Sequence, residues 1–457
     1  MAAEISFENL KKEYQNFANP VAHVEVEGKV INQAKTKLSI GEIEIDVTSG
    51  YEAGIASFVV YGCYNRLTCS FEYDKIKKYV MIGAQVSISL GYGSVVKEVF
   101  CGFISQVNFF FQEDEIPGVR VTCMDIKGMM MSSCYSKQMT STCYSDAVSS
   151  IFSQLRYTQM QDRGVIKRVS ITDTPDKMGL EGIAGGSAAG DFGGALAGGI
   201  PGAATPSVGM VTDKSVEMVA ESDYEFVVKA AKKFNYEFFV SGGVVYFRKA
   251  KNYASVLMEL SPATGMRNID VEYDVTGLVG EIEVRSTDVG KAQQISSSVK
   301  LNNKISKGKY AKNLVKNSAK VYIDPTADSK LDAGYRADYL AEDIAYRFGT
   351  LEAEIIGIPD IVVGRFIKLI GMGDPVNNLF YVVSVRHVMN GNRGFSTTIT
   401  AKAAGLGGSY SAGGSGIGGM FGGTVAAVAG NAGAAADALG DVADGLGSVG
   451  GLLNGII

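Results

Sequence analysis

The two histidines are the side chains best suited to proton transfer near neutral pH, and they stand far apart at His23 and His387. Both lie in alternating, strand-like stretches, and neither has a metal-binding spacing such as His-Glu-x-x-His. No Gly-x-Ser-x-Gly elbow precedes a helix, and no catalytic carboxylate pair or Cys/His site can be identified. The sequence therefore predicts no catalytic residue, no metal site and no cofactor, and the protein is not expected to be an enzyme.

Two short runs have some of the character of ligand sites. Residues 413–418 form a glycine-rich run, but no βαβ unit surrounds it and no Lys-Ser/Thr pair ends it, as a phosphate-binding loop would require. Glu113, Asp114 and Glu115 are consecutive carboxylates at the tip of an expected hairpin. They either hold a cation or are simply solvated, and both interpretations stay open.

A lysine-rich stretch and an apolar pattern near the C-terminus are the candidates for contact with partner proteins. Residues 300–320 contain seven lysines, which suit either an acidic partner surface or a solvated loop. Apolar residues between 439 and 456 recur at helical spacing. The presumed contact residues are Lys304, Lys307, Lys309, Lys312, Leu439, Val442, Leu446, Val449 and Leu452.

The six cysteines all lie between residues 63 and 143, without a Cys-x-x-Cys pair. This distribution favours reduced thiols that act as small buried apolar groups over a disulfide framework or a zinc site.

Charge and hydropathy exclude several classes of protein. The chain has 457 residues and balances 43 Lys+Arg against 48 Asp+Glu, which argues against nucleic-acid binding as its main role. A mean hydropathy of +0.11 is high, yet no run approaches the ~20 apolar residues of a spanning helix, so stable membrane insertion is not expected. We expect burial against partner subunits instead. The N-terminus has no secretion-signal pattern, so the protein is expected to stay in the cytoplasm until it assembles.

Hydrophobic periodicity divides the chain into β and α segments. Alternation from about residue 22 to 125 predicts antiparallel strands, and residues 99–123 include a hairpin. Ser145 and Asp146 are expected to cap a helix, whereas Ser222 and Glu225 have the spacing of a capping box. A strand hairpin is expected over 236–248, and a further helix over 333–348.

The two β regions contain the same pattern of turns and strands in the same order. Residues 83–107 and 364–387 both read as Gly, alternating strand, Gly-x-Gly, loop and apolar strand, and each is followed by another strand. We predict a mainly β protein with an α+β insertion, in which two tube-like antiparallel β-barrels are separated by an α/β piece. The expected boundaries are 1–20 for a docking helix, 21–130 for the first barrel, 131–265 for the insertion with its Gly/Ala-rich loop 179–209, 266–403 for the second barrel, and 404–457 for a Gly/Ala-rich tail.

Three stretches of the sequence resemble the phage late control protein D family of tail baseplate hubs, which includes the T4-type hub and the hub part of the valine-glycine-repeat spike proteins of type VI secretion. They are Val99-Phe-Cys-Gly-Phe-Ile-Ser-Gln-Val with Val119-Arg-Val-Thr-Cys-Met-Asp, the helix and strand from Glu221 to Phe238, and the segment from Val363 to Thr398 that contains Tyr381-Val-Val-Ser-Val-Arg-His. Their order spans most of residues 20–402.

This resemblance implies a structural role in a contractile phage tail or a phage-tail-like injection system. It implies a homotrimer whose six barrels join a hexameric tail tube to a trimeric spike, with baseplate wedge proteins as further neighbours. No oligonucleotide-fold domain or β-prism follows the second barrel, so the spike is expected to be a separate protein. The tails of three chains are expected to cluster on the axis and to touch the spike, the tape measure protein or cargo.

Two other functions stay open at this point. One is a tail-tip enzyme that degrades the cell wall, and the other, less favoured because no signal peptide is seen, is an outer-membrane β-barrel. Phage, bacteriocin and injection system are not distinguished by the sequence.

Overall fold

The computed structural model describes residues 5–31, 33–177, 216–251, 256–288, 291–301, 305, 309–327, 329–391, 394–407 and 412–413. The helices are α1 (Phe7–Glu13), α2 (Gln33–Thr36), α3 (Tyr73–Ile76), α4 (Ile126–Met130), α5 (Tyr144–Phe152), α6 (Leu155–Asp162), α7 (Asp223–Phe234), α8 (Lys309–Lys316) and α9 (Lys330–Ala345).

The strands of the N-terminal part are β1 (Pro20–Val26), β2 (Lys29–Val30), β3 (Ser39–Thr48), β4 (Ile55–Tyr61), β5 (Tyr64–Asn65), β6 (Ser70–Phe71), β7 (Gln85–Tyr92), β8 (Val95–Phe110), β9 (Gly118–Met124), β10 (Tyr135–Gln138) and β11 (Arg168–Ile171). Those that follow are β12 (Glu217–Glu221), β13 (Tyr236–Ser241), β14 (Val244–Lys249), β15 (Val256–Leu260), β16 (Met266–Tyr273), β17 (Glu281–Asp288), β18 (Gln293–Leu301), β19 (Ala319–Ile323), β20 (Gly349–Ile356), β21 (Phe366–Leu369), β22 (Leu379–Asn390), β23 (Gly394–Ala403) and β24 (Ala412–Gly413).

The dominant feature is one sheet of thirteen described strands, which runs in the order β16-β20-β23-β22-β3-β4-β9-β8-β7-β1-β2, with β21 beside β22 and β15 beside β21. Buried apolar side chains from both halves of this sheet form a single contiguous core. The fold class predicted from the sequence, mainly β with an α+β insertion, is confirmed. The β regions expected to form two barrels share this sheet and this core.

The sheet contains the same six-strand pattern twice. The N-terminal set is ordered β1-β7-β8-β9-β4-β3 and the C-terminal set β15-β21-β22-β23-β20-β16. When the strands of each set are ranked by their order along the chain, strands of equal rank occupy the same position in the two sets. The pairs agree in direction except at one end, where β1 is antiparallel to β7 but β15 is parallel to β21. The repeated pattern in residues 83–107 and 364–387 therefore corresponds to equivalent strands of the two sets.

The match extends to individual residues through a shared β-bulge. In β8 the extra residue is Ser105, because Ile104 pairs with Cys123 and Gln106 with Thr122. In β22 the extra residue is Val383, because Val382 pairs with Ala401 and Ser384 with Thr400. Bulges fix register and re-aim side chains, so a bulge at the same place in both sets aligns β8 with β22 residue by residue.

An α/β layer packs on the N-terminal set and has its own core, formed mainly by helices α4 to α7 and strands β13 and β14. The capping box at α7 is confirmed, since Ser222 accepts from the Glu225 N–H and Glu225 accepts from the Ser222 N–H. The hairpin Tyr236–Lys249 is also confirmed, with Gly242 and Gly243 both at positive φ in its turn.

The expected cap of α5 was wrong. Cys143 is the N-cap residue, and the orphan N–H groups of Tyr144 and Ser145 donate to the side chains of Asp176 and Thr174, which come 32 and 29 residues later in the chain. Side chains from a distant part of the chain thus perform the role that the sequence assigned to Ser145 and Asp146.

A second small layer lies within the region expected to form the second barrel. Strands β17, β18, β19 and β24 form a separate sheet, and α9 packs on it around buried alanines and Ile282, Val284 and Val299. Helix α9 begins three residues before the expected start and ends three before the expected end. Strand β15, within the expected insertion, pairs with β21 in the main sheet. The domain boundaries remain predictions.

Helix α1 and the 3₁₀ turn after it lie against the C-terminal strand set. Leu10 and Tyr14 are buried in the main core, the Ile5 N–H donates to the Leu257 carbonyl, and the Tyr14 hydroxyl donates to Asp360 at 2.6 Å. The N-terminal segment therefore ties the first part of the chain to strands made more than 240 residues later.

Candidate assembly interface

The structure does not bring the two histidines together. His23 is exposed on β1, whereas His387 is buried on β22, several strands away in the sheet. The His387 Nδ1 lies 2.9 Å from the Thr397 hydroxyl. Burial lowers the pKa of His387 to about 4, against the opposing effect of the nearby Asp360 carboxylate. The imidazole is neutral at physiological pH and packs as a polar member of the core.

The remaining chemistry-bearing side chains also fail to converge. Within the described ranges, no group of three or more His, Cys, Asp or Glu side chains is placed to hold a metal ion. A cleft of about 360 Å³ is lined by Glu281, Glu283, Ser296, Ser297, Ser298 and Lys330. Both carboxylate oxygens of Glu283 accept from Arg285 at 2.8 Å, so this glutamate is already paired. The acidic tip at residues 113–115 is exposed in the turn between β8 and β9.

All six cysteines are free thiols. Burial raises the pKa of Cys101 to about 11, and Cys63, Cys123 and Cys143 are buried too, as the sequence predicted. Cys69 and Cys134 are exposed, so for these two the expectation of burial was wrong.

Most of the residues presumed to contact partners lie outside the described residues. These are Lys304, Lys307, Leu439, Val442, Leu446, Val449 and Leu452. Lys309 and Lys312 belong to α8. Their contact role remains a prediction.

The junction between the two strand sets is a built interface inside the chain. Residues 384–389 of β22 pair antiparallel with residues 43–48 of β3, with His387 opposite Ile45. Ile43 and Ile45 are fully or almost fully buried at this junction, as are Val385 and His387 on β22. The carbonyl of Val383, at the bulge, also accepts from the Ser49 N–H at 2.7 Å.

Two strand edges correspond to this junction but have no neighbour among the described strands. Strand β8 loses β7 as its neighbour after Ile104, and β16 pairs only with β20. Phe109 and Phe111 stand at the β8 edge with exposed fractions of 43% and 62%. Large aromatic side chains exposed beside an open strand edge are typical of an interaction surface.

Aromatic neighbours hold these two side chains in place. The Phe71 ring lies 5.2 Å from that of Phe109, and the Tyr64 ring lies 5.3 Å from that of Phe111. Both contacts come from the β5-β6 hairpin. Sequence reasoning missed this site, although the run Phe109-Phe110-Phe111 before the acidic tip was its signal.

Buried charges fasten the α/β layer to the C-terminal strand set. Glu237 on β13 lies 3.2 Å from the Arg248 Nε and accepts from the Tyr381 hydroxyl on β22. Arg248 also donates to the Gly364 carbonyl at 2.8 Å. Burial raises the pKa of the Glu237 carboxyl, while the Arg248 and Lys251 charges oppose that shift. The positions of the layer and of β22 are thus coupled.

Among the described residues, no helix has the length and apolar character that spanning a membrane requires.

Comparison with solved structures identifies a shared fold. A tail protein from Neisseria meningitidis MC58 matches with a TM-score of 0.55 and 12% identity, over 85% of this chain and 98% of that one. The 43 kDa tail protein of prophage MuSo2 from Shewanella oneidensis matches with a TM-score of 0.54 and 10% identity, over 84% and 98%.

Comparison with sequence families gives a different, shorter match. A model described as the Alg8 N-terminal domain matches residues 205–391, which is less than half of the chain. That range begins outside the described residues, crosses the α/β layer and the small second sheet, and stops between the paired strands β22 and β23, so it follows no structural unit. No curated protein matches the chain. The chain shares its fold with the tail proteins from Neisseria meningitidis and from prophage MuSo2.

Proposed function

We propose that this protein is the structural baseplate hub of a contractile phage tail or a phage-tail-like injection system. The observation that carries the proposal is the internal duplication, in which two six-strand sets share strand order, register and a bulge. The two proteins of similar fold support it, since both are named tail proteins and one of them comes from a prophage.

The duplication gives a physical mechanism for joining different symmetries. Three chains with two equivalent strand sets each present six similar surfaces around an axis, while the rest of each chain repeats only three times. A hexameric tail tube protein fits the sixfold side, and a trimeric spike protein fits the threefold side. The protein acts by forming interfaces rather than by catalysis.

The C-terminal tail is assigned a contact role within this proposal. The first residues of the tail are anchored, because the Asn378 side-chain amide donates to the Gly405 carbonyl at 3.0 Å and its oxygen accepts from the Gly407 N–H at 3.0 Å. Deletion of the rest of the tail, residues 414–457, is expected to leave the trimer intact but to abolish incorporation of spike, tape measure protein or cargo. Particles that assemble normally with the deleted chain would refute this role.

The native mass of the purified chain at micromolar concentration tests the proposal directly. Light scattering is expected to give about three times the 48.4 kDa chain mass. A second measurement adds the tail tube protein and the spike protein encoded with this chain, and a complex containing both is expected. A dimer or tetramer, or a trimer that binds neither protein, would refute the hub function.

A further inference from the structure

We infer that the open edge of β8 pairs with the open edge of β16 from a second copy of this chain. The inference rests on the trimeric function proposed above and names the surface that would build the trimer. The β22-β3 junction inside each chain is its template.

The pairing of β22 with β3 can be applied to the two open edges, because β8 is the counterpart of β22 and β16 is the counterpart of β3. Ile104 corresponds to Val382 through the shared bulge, a difference of 278 positions, so Phe109 corresponds to His387. Ile45 pairs with Ala56, which in turn pairs with Cys123. Val271 pairs with Leu351, which in turn pairs with Ala401. Because Cys123 and Ala401 lie opposite the equivalent residues Ile104 and Val382, Ile45 corresponds to Val271.

These correspondences fix a register between chains. His387 faces Ile45 within the chain, and therefore Phe109 is expected to face Val271 of the second copy. By the same rule Phe111 faces Ile269, and Asn108 faces Glu272.

Side-chain exposure agrees with this register. His387 and Val385, which β3 covers, are exposed by only 3% and 2%, whereas Phe109 at the equivalent position of β8 is exposed by 43%. On the other edge, Ile45 is fully buried while its counterpart Val271 is only half-buried. The positions that the internal junction buries are the ones left open at the two edges, and they are apolar on both.

The contact is head-to-tail, because the β8 edge lies on the N-terminal strand set and the β16 edge on the C-terminal set. Each chain offers one edge of each kind, so identical contacts continue from chain to chain and close when the rotation per chain is one third of a turn. A ring of three then contains six junctions, three inside chains and three between them.

Site-specific disulfides test the register. In a chain carrying C69S and C134S, which removes both exposed thiols, the pair N108C and E272C places cysteines on exposed positions that the inference sets directly opposite. The matched control pairs N108C with N268C, four residues along the same exposed face. Mild oxidation with diamide is expected to give at least tenfold more disulfide-linked dimer and trimer for the first pair.

Substitution of one edge residue provides a second test that does not depend on disulfide geometry. F111K is expected to raise the trimer dissociation constant at least tenfold, whereas I116K, at an equally exposed position of the same hairpin, is expected to leave it unchanged. Circular dichroism checks that both variants fold.

The outcomes separate this inference from the proposed function. A trimer in which neither cysteine pair crosslinks, or both do equally, overturns the β8-β16 pairing and leaves the trimeric hub standing. A trimer unaffected by F111K also overturns it. A chain that stays monomeric without crosslinks overturns both.

Discussion

Acidification from pH 7 to pH 5 is expected to weaken the fold through one buried side chain, His387. Burial lowers its folded-state pKa from 6.5 to about 4, so the unfolded chain binds a proton that the native chain excludes. The stabilising contribution is therefore complete above pH 6.5 and is lost as the pH falls towards 4.

The size of the effect follows from those two pKa values. One pKa unit corresponds to about 1.4 kcal/mol, so the full shift is equivalent to about 3 kcal/mol. Between pH 7 and pH 5 the linkage relation gives a loss of about 2 kcal/mol in the free energy of unfolding.

Urea unfolding at fixed protein concentration, at pH 7 and pH 5, measures this loss. The variant H387N keeps a polar atom near Thr397 but cannot titrate, so its stability is expected to change by about 2 kcal/mol less than that of the natural chain over the same pH range. The variant H23N, at the exposed histidine, serves as the control and is expected to behave like the natural chain. If H387N and the natural chain lose stability equally, the assignment of a neutral buried His387 is wrong.

Two further substitutions test the packing of the layers. R248M is expected to lower the free energy of unfolding in urea by about 3–5 kcal/mol, because it leaves the buried Glu237 carboxylate without its charge partner. Adding E237Q to this variant is expected to recover at least half of that loss. No recovery would show that the broken charge pair is not the cause of the loss. G357A is expected to lower the free energy of unfolding by about 1–3 kcal/mol, since its Cβ would lie 2.1 Å from the Phe395 ring. G391A, which has open space around it, is expected to change the free energy of unfolding by less than about 0.5 kcal/mol. Equal effects of the two variants in thermal unfolding would contradict this expectation.

Local patterns in the sequence predicted local structure well. The Ser222/Glu225 capping box, the turn at Gly242 and Gly243, and the alternation of β7 to β9 depend on residues a few positions apart. The repeated strand pattern was also confirmed, because both copies contain the same succession of glycine turns and alternating strands.

Long-range partners were beyond sequence reasoning. Nothing near Ile45 indicates that its neighbour is His387, since an alternating strand has the same pattern whichever strand lies beside it. The α5 cap failed for the same reason, as Asp176 is supplied from outside the local segment. Phe109 and Phe111 were assigned only to a hairpin, because a hairpin pattern does not show which side chains an open strand edge leaves exposed.

The β3-β22 junction also sets an order of events during synthesis. Residues 43–48 leave the ribosome about 340 residues before residues 384–389, a delay of roughly 17–70 s at usual elongation rates. Strand pairing takes microseconds to milliseconds, so β3 is complete but uncovered for most of that time. Nascent chains crowded on one messenger RNA can therefore exchange β3 strands, and we expect domain swapping to be the misassembly to which this junction is most exposed.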